Sequence, residues 1–340
     1  MGNVSYNIRV SIAFTIIYVV WGTTYLAIRF VLETMPPFMM AGIRFTVAGL
    51  LLFAWSYSRY SFKPKLKDLR LPVITGFFMF LVGHGSLAWA EQYISSGFAA
   101  LEAASIPVWI VLLSWMQSRN NKPNKFTVTG IILGITGVAL LIGTGEDFSI
   151  NPSANSTVTI ISIVLLVMGT VSWAAGSIQS RKINKDIPLL YTTSVQMLTG
   201  GVSLLLLSLL QGEVGKISVA NVSFISIVSL LYLIVFGSII AYTSYLWLMN
   251  QCAPAKVSTY AFVNPLIAVF LGWVIVDEPI TYVMILGAAA ILFSVLLINR
   301  SFSFNKMKAI FLAKSKFVNE AGSLGVIADC DGIQANKTAR

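Results

Sequence analysis

The sequence predicts an all-α integral membrane protein of ten transmembrane helices, arranged as two inverted five-helix repeats. Three observations lead there. Of the 340 residues, 56% are hydrophobic and only 11% charged, with a mean hydropathy of +0.81; a soluble domain needs more charge than this for its surface. The apolar residues come in runs of about 20, the length of helix that spans a bilayer core. The basic residues gather in alternate gaps between those runs, the mark of a chain threaded back and forth through a membrane.

The runs lie at 8–31, 37–58, 71–92, 96–117, 126–144, 156–179, 188–210, 223–248, 254–276 and 280–299. Lipid admits only structures that pair every backbone group, helical bundles or closed barrels. Barrel strands alternate in polarity over roughly 10 residues, whereas these runs are continuous. The first run follows Arg9 but is longer than a signal-peptide core, lacks a small-residue cleavage site and leads into further spans, so it is read as a retained first helix. Turn and charge signals separate the others: "MPP" at 35–37, "KPKLKDLR" at 63–70, "RNNKPNK" at 119–125, "RKINKD" at 181–186 and "DEP" at 277–279. The first five runs form one unit, 8–145, the next five a second, 156–299, and residues 300–340 a basic tail. Within the tail, "SFSFNKMKAIFLAKSKF" interleaves lysines with Phe304, Met307, Ile310, Phe311 and Phe317. It is read either as an amphipathic helix on the inner leaflet or as a solvated basic tail. Residues 320–340 have the composition of a disordered segment.

One side of the membrane collects Arg9, the five basic residues of 59–70, Arg119, Lys122, Lys125, Arg181, Lys182, Lys185, Lys256 and the seven of the tail, 20 of the 23 in the chain. The opposite loops hold Lys216 alone and gather Glu33, Glu91, Glu146, Asp147, Glu213, Asp277 and Glu278. Arg29 and Arg44 lie at or within helices. The expectation is a multi-pass protein of the cytoplasmic (inner) membrane with both termini cytoplasmic. The net charge of +10 therefore orients the chain in lipid and does not indicate nucleic acid. Cys252 and Cys330 have neither metal-ligand spacing nor a disulfide framework. No Walker A motif occurs, so this chain is not expected to hydrolyse ATP. Neither a metal nor a cofactor is expected.

The halves echo each other. At a shift of 158 residues, Ser86, Trp89, Ala103, Pro107, Val111, Leu113 and Trp115 meet Ser244, Trp247, Ala261, Pro265, Val269, Leu271 and Trp273, with Phe78 meeting Phe236 just upstream. At a shift of 152, Trp21 and Arg29 in "WGTTYLAIR" meet Trp173 and Arg181 in "WAAGSIQSR". A unit of five helices is odd, so the second copy enters the membrane from the opposite face. Two like halves of opposite orientation can open a central site to each side in turn, as in secondary transporters.

"WGTTYLAIR", "PPFMMAGIRF", "AEQYISSGFAALEAASIPVWIVLLSW" and "TYAFVNPLIAVFLGWVIVDEPIT" together resemble the EamA family of the drug/metabolite transporter superfamily, and within it the YedA-like bacterial inner-membrane exporters. The resemblance covers residues 8–299. It implies a ten-helix fold of two EamA units and export of small metabolites or drugs, amino acids and related compounds among them.

Ten residues are candidates for the substrate pathway. Pro107 and Pro265, inside the fourth and ninth spans, each lack an amide donor and crowd the carbonyls of Ala103 and Ala261. They are read as substrate-binding or hinge points, or as fixed kinks. Glu102, the acidic residue inside a span, is read as a proton or amine acceptor, or as a structural partner of Arg44. Tyr260 is its repeat counterpart, and Asn264 lies one turn on, beside Pro265. His84 in "GHGS" suits proton coupling or plain packing, and packing is preferred. Trp21, Thr24 and Tyr25 share a helix face with position 28/29. Trp21 and Trp173 sit within their spans instead of at the interfacial belt, which suits an aromatic or amphipathic cargo. Arg29 and Arg181 are read as span ends snorkelling to headgroups. The expectation is a secondary exporter or exchanger of small organic solutes, with protons as the candidate coupling ion; a passive facilitator is the alternative. An intramembrane enzyme ranks below both, because His84 and Ser86, two residues apart, point in different directions and cannot form a base–nucleophile pair.

Overall fold

The computed structural model describes residues 6–60, 65–117, 125–143, 156–252, 257–294 and 296–297. The expectations for the basic tail fall outside them. Among the described residues the fold is all-helical, with no β-strand. The helices, in chain order, are α1 Tyr6–Leu32, α2 Pro37–Arg59, α3 Lys67–Ala90, α4 Ser96–Gln117, α5 Lys125–Gly143, α6 Ser156–Ser180, α7 Leu189–Leu210, α8 Phe224–Gln251, α9 Tyr260–Val276 and α10 Tyr282–Ser294. Seven of them, α1 to α4 and α6 to α8, are long and apolar enough to cross a membrane. Three shorter apolar helices, Lys125–Gly137, Val263–Val276 and Tyr282–Ser294, lie within α5, α9 and α10.

Local chemistry sets several ends. Pro37 opens α2 after an extended Pro36, where its fixed φ suits a first turn and no amide is needed. Ser95 Oγ caps α4 by accepting from Phe98 N at 3.2 Å, and Ser223 Oγ caps α8 by accepting from Ser226 N at 3.1 Å. α9 stops at Asp277, whose φ of 52° turns the chain through the left-handed region.

α3 and α8 each contain a π-helical stretch, Phe77–His84 and Leu233–Ile240. Such bulges interrupt the α ladder and redirect carbonyls. α4 breaks at Ala104–Ser105, between Ser96–Ala103 and Ile106–Gln117. This departs from the sequence expectation. Pro107 falls in the first turn after the break, where its missing amide interrupts no helical ladder. Pro265 instead sits inside an unbroken α9. Two prolines in one sequence register thus have different backbone consequences.

Glycines let the helices approach closely. A Cβ on Gly49 would lie 2.8 Å from Leu198 Cγ, and one on Gly201 2.5 Å from Thr46 N, so α2 and α7 meet nearly backbone to backbone. A Cβ on Gly200 would collide with Phe80. A buried polar network ties α3, α6, α7 and α8 beside this contact. Gln196 Nε2 donates to Thr75 Oγ1 at 2.7 Å and Ser180 Oγ at 2.9 Å, and Tyr242 Oη donates to Gln196 Oε1 at 2.8 Å. With its donors and acceptor all engaged, the glutamine stays buried without penalty. Large apolar side chains such as Leu50, Trp55, Leu206, Leu231 and Phe270 point outward from the bundle. Across so many helices this is the surface that lipid covers.

Candidate functional site

At the centre of the bundle a cavity is walled by α1, α2, α3, α4, α6 and α9. Eight of the ten sequence candidates line it: Trp21, Thr24, Tyr25, His84, Glu102, Trp173, Tyr260 and Asn264. Pro107 and Pro265 do not. Pro107 is buried beside the α4 break, and Pro265 lines a separate apolar groove with Leu266, Phe270 and Met284.

The two tryptophans from matching positions of the two halves meet here edge to face, with ring centroids 5.9 Å apart. Trp21 also packs on Tyr260 and on Tyr245, at 5.1 Å each. Trp21 Nε1 donates to the Gly237 carbonyl at 3.1 Å, within the π-helical stretch of α8. His84 sits among rings: 4.9 Å from Phe45, 5.7 Å and stacked on Phe80, and 5.2 Å and perpendicular to Trp173. Perpendicular and offset arrangements of this kind are the favourable ones for aromatic pairs. Asn264, with its amide turned so that nitrogen faces acceptors, donates to the carbonyls of Tyr18 and Tyr260 at 2.9 and 3.1 Å.

Glu102 occupies the last turn before the α4 break and is 0% exposed. Its Oε1 accepts from Thr170 Oγ1 of α6 at 3.0 Å and from Ser105 Oγ at 3.3 Å. Ser105 in turn accepts from Trp109 Nε1 at 3.0 Å. Its Oε2 is buried and has no hydrogen-bond partner among the described residues. The structural pairing with Arg44 that the sequence left open is not formed. Arg44 Nε donates to Ser238 Oγ at 2.8 Å, and its guanidinium carbon lies 4.7 Å above the Phe45 ring. Arg44 lines the same cavity.

Sequence reasoning missed Thr170, Gly169, Gly83 and Arg44 as cavity walls. A threonine or glycine in an apolar run carries no sequence signal of which neighbour it faces. It grouped Glu91, Glu213 and Glu278 with the loops opposite the basic side, and the structure buries all three. Glu213 accepts from the amides of Phe38 and Met39 at 3.4 and 2.8 Å, capping α2 from the second half of the chain. Glu278 accepts from Ser96 N, Ser96 Oγ and Gly97 N at 2.9, 2.8 and 3.1 Å, capping α4 in the same way. Carboxylates suit helix N-termini, where free amides and the helix dipole favour negative charge. Glu91 follows α3, is 0% exposed, and neither of its oxygens is hydrogen-bonded among the described residues. Arg29 and Arg44 lie within electrostatic reach of it. Arg29, read from sequence as snorkelling to headgroups, is only partly exposed and its Nε is buried without a partner. Arg181, just past α6, is exposed.

The EamA-like transporter family matches residues 9–143 and 160–300, both halves of the chain. The inner membrane transporter YedA of Escherichia coli K12 is 34% identical over 283 residues, 83% of this chain and 88% of that one. The transporter YoaV of Bacillus subtilis is 24% identical over 302 residues, 88% of this chain and 99% of its own. A solved crystal structure shares the fold with a TM-score of 0.60 and 19% identity, covering 86% of this chain and 96% of that chain.

Proposed function

The chain belongs to the EamA-like transporter family, and from that premise we propose that it is a secondary transporter that exports small organic solutes across the inner membrane. It works by alternating access of two inverted five-helix halves, 8–145 and 156–299, ten membrane crossings in all. The observation that carries this reading is the position of the cavity. Its lining comes from both halves, and Trp21 and Trp173, one from each, meet in its wall.

Paired contacts support the inverted repeat. Gly49 packs on Leu198 and Gly201 on Thr46. Moving each first-half residue forward by 152 turns one contact into the other, as a two-fold axis between α2 and α7 requires. Trp21 bonds the Gly237 carbonyl, and Trp173 lies 3.7 Å from where a Cβ on Gly83 would stand. Each tryptophan thus meets a glycine in the π-helical stretch of the other half's third helix. Two packings of comparable energy at such an interface are what alternating access needs. On the charge map, the end that carries Glu213 and Glu278 faces outward and both termini face the cytoplasm.

The test is flux in liposomes containing the purified protein, with a panel of radiolabelled metabolites and drugs and no ATP. At least one solute is expected to move, and a pH step is expected to change its rate. Flux that ignores both the pH step and Glu102→Gln refutes proton coupling. Hydrolysis of a substrate without movement refutes transport altogether.

A further inference from the structure

Glu102, one wall of the cavity, has a carboxylate oxygen that no other described residue bonds. Glu102 Oε2 is buried, and among the described residues neither a donor nor an acceptor bonds it. The other oxygen, Oε1, is already held by Thr170 and Ser105, which fixes the carboxylate in place. A protonated carboxyl would not resolve the mismatch, because a hydroxyl at Oε2 would also need an acceptor and has none. Leaving such a group unpaired costs free energy unless a ligand supplies the donor. The same cavity is walled by rings, with Trp21 at 80° to Trp173 and at 78° to Tyr260. The faces of such rings attract a cation and cover its apolar substituents. Arg44, the cationic counterpart in the same wall, already has Ser238 Oγ on its Nε and the Phe45 ring beneath it.

We propose that the central cavity binds a protonated organic amine on an apolar or aromatic body, its N–H donated to Glu102 Oε2 and its body laid against Trp21 and Trp173. This names a substrate class for the transporter reading and rests on it for physiology, though not for binding. A primary to tertiary ammonium satisfies both the acceptor and the rings. A carboxylate of the same shape would meet Glu102 with like charge, and a neutral alcohol would offer a hydrogen bond without a charge.

The test uses the full chain in detergent micelles and three probes of one shape, phenethylamine, 2-phenylethanol and 3-phenylpropionate, with tryptophan quenching and calorimetry as readouts. Phenethylamine is expected to bind at least tenfold more tightly than either of the others. Glu102→Gln is expected to remove most of that preference while leaving the weak binding of the alcohol unchanged. Equal binding of amine and alcohol to the unaltered protein overturns the proposal, and tighter binding of the carboxylate overturns it in favour of Arg44. The probe comparison on unaltered protein decides the matter even where Glu102→Gln does not fold. Amine that binds while no solute of the panel moves in liposomes refutes transport and leaves this proposal standing. A different solute moved without any amine binding refutes this proposal alone.

Discussion

Replacing Glu278 tests how the two halves are held together at one end of the bundle. Its carboxylate accepts three hydrogen bonds from Ser96 and Gly97, at 2.8 to 3.1 Å, and is 5% exposed. Bonds to a charged acceptor contribute roughly 1.5–3 kcal/mol each, and truncation also orphans the donors. Water at the bundle end replaces part of this, so Glu278→Ala is expected to destabilise by about 3 kcal/mol in net terms. Glu278→Gln retains one carbonyl oxygen and loses the charge, for about half of that effect. For a chain of this length, 1 kcal/mol moves the midpoint by roughly 2 °C, giving shifts of about 6 °C and 3 °C. Intrinsic tryptophan fluorescence during thermal unfolding in micelles reads both. An alanine variant within about 1 °C of the parent refutes the reasoning, and a glutamine variant as harmful as alanine refutes the part assigned to charge.

Glu213→Ala removes the matching cap on α2, where the contacts are 2.8 and 3.4 Å; with one good bond at stake, a loss of about 1.5 kcal/mol is expected by the same unfolding measurement. Gly201→Leu places a side chain against the Thr46 backbone, where even a Cβ would come within 2.5 Å, and is expected to abolish a monodisperse peak in size-exclusion chromatography because α2 and α7 cannot separate without exposing the core. Tyr242→Phe takes away the donor to Gln196 Oε1, 2.8 Å distant, and leaves a buried acceptor unpaired; about 1–2 kcal/mol of stability should be lost, visible as a lower unfolding midpoint.

Much of the fold was legible in the sequence. Proline, serine and charged residues marked helix ends, and the described helices begin and end within a few residues of the apolar runs; the structure starts α9 at Tyr260. Eight of ten candidate residues also reached one cavity, because polar or aromatic residues within apolar spans have few reasons to face lipid. The two prolines lie outside that cavity, and their backbone settings differ for a local reason. A proline signals a weak point in the helical ladder, but whether the helix breaks, as before Pro107, or runs on, as through Pro265, depends on what packs around it. The burial of Glu91, Glu213 and Glu278 was not legible, because nothing in a loop sequence distinguishes a solvated carboxylate from one folded onto another helix end.

The sequence by itself determined that this is a helical membrane protein with a repeated unit. Span length, charge placement and the returning tryptophan and arginine are one-dimensional features, and they act locally or through the bilayer. Only the tertiary structure decided which face of each helix turns inward. In lipid both faces of a span are apolar, so periodicity does not separate core from surface. The deciding contacts join residues far apart in the chain: Thr170 with Glu102, Ser238 with Arg44, Glu278 with Ser96. Trp21 and Trp173 began as a matched pair in the sequence. Packing brought them into contact in the wall of a cavity that Glu102 also lines, with one of its oxygens unbonded among the described residues.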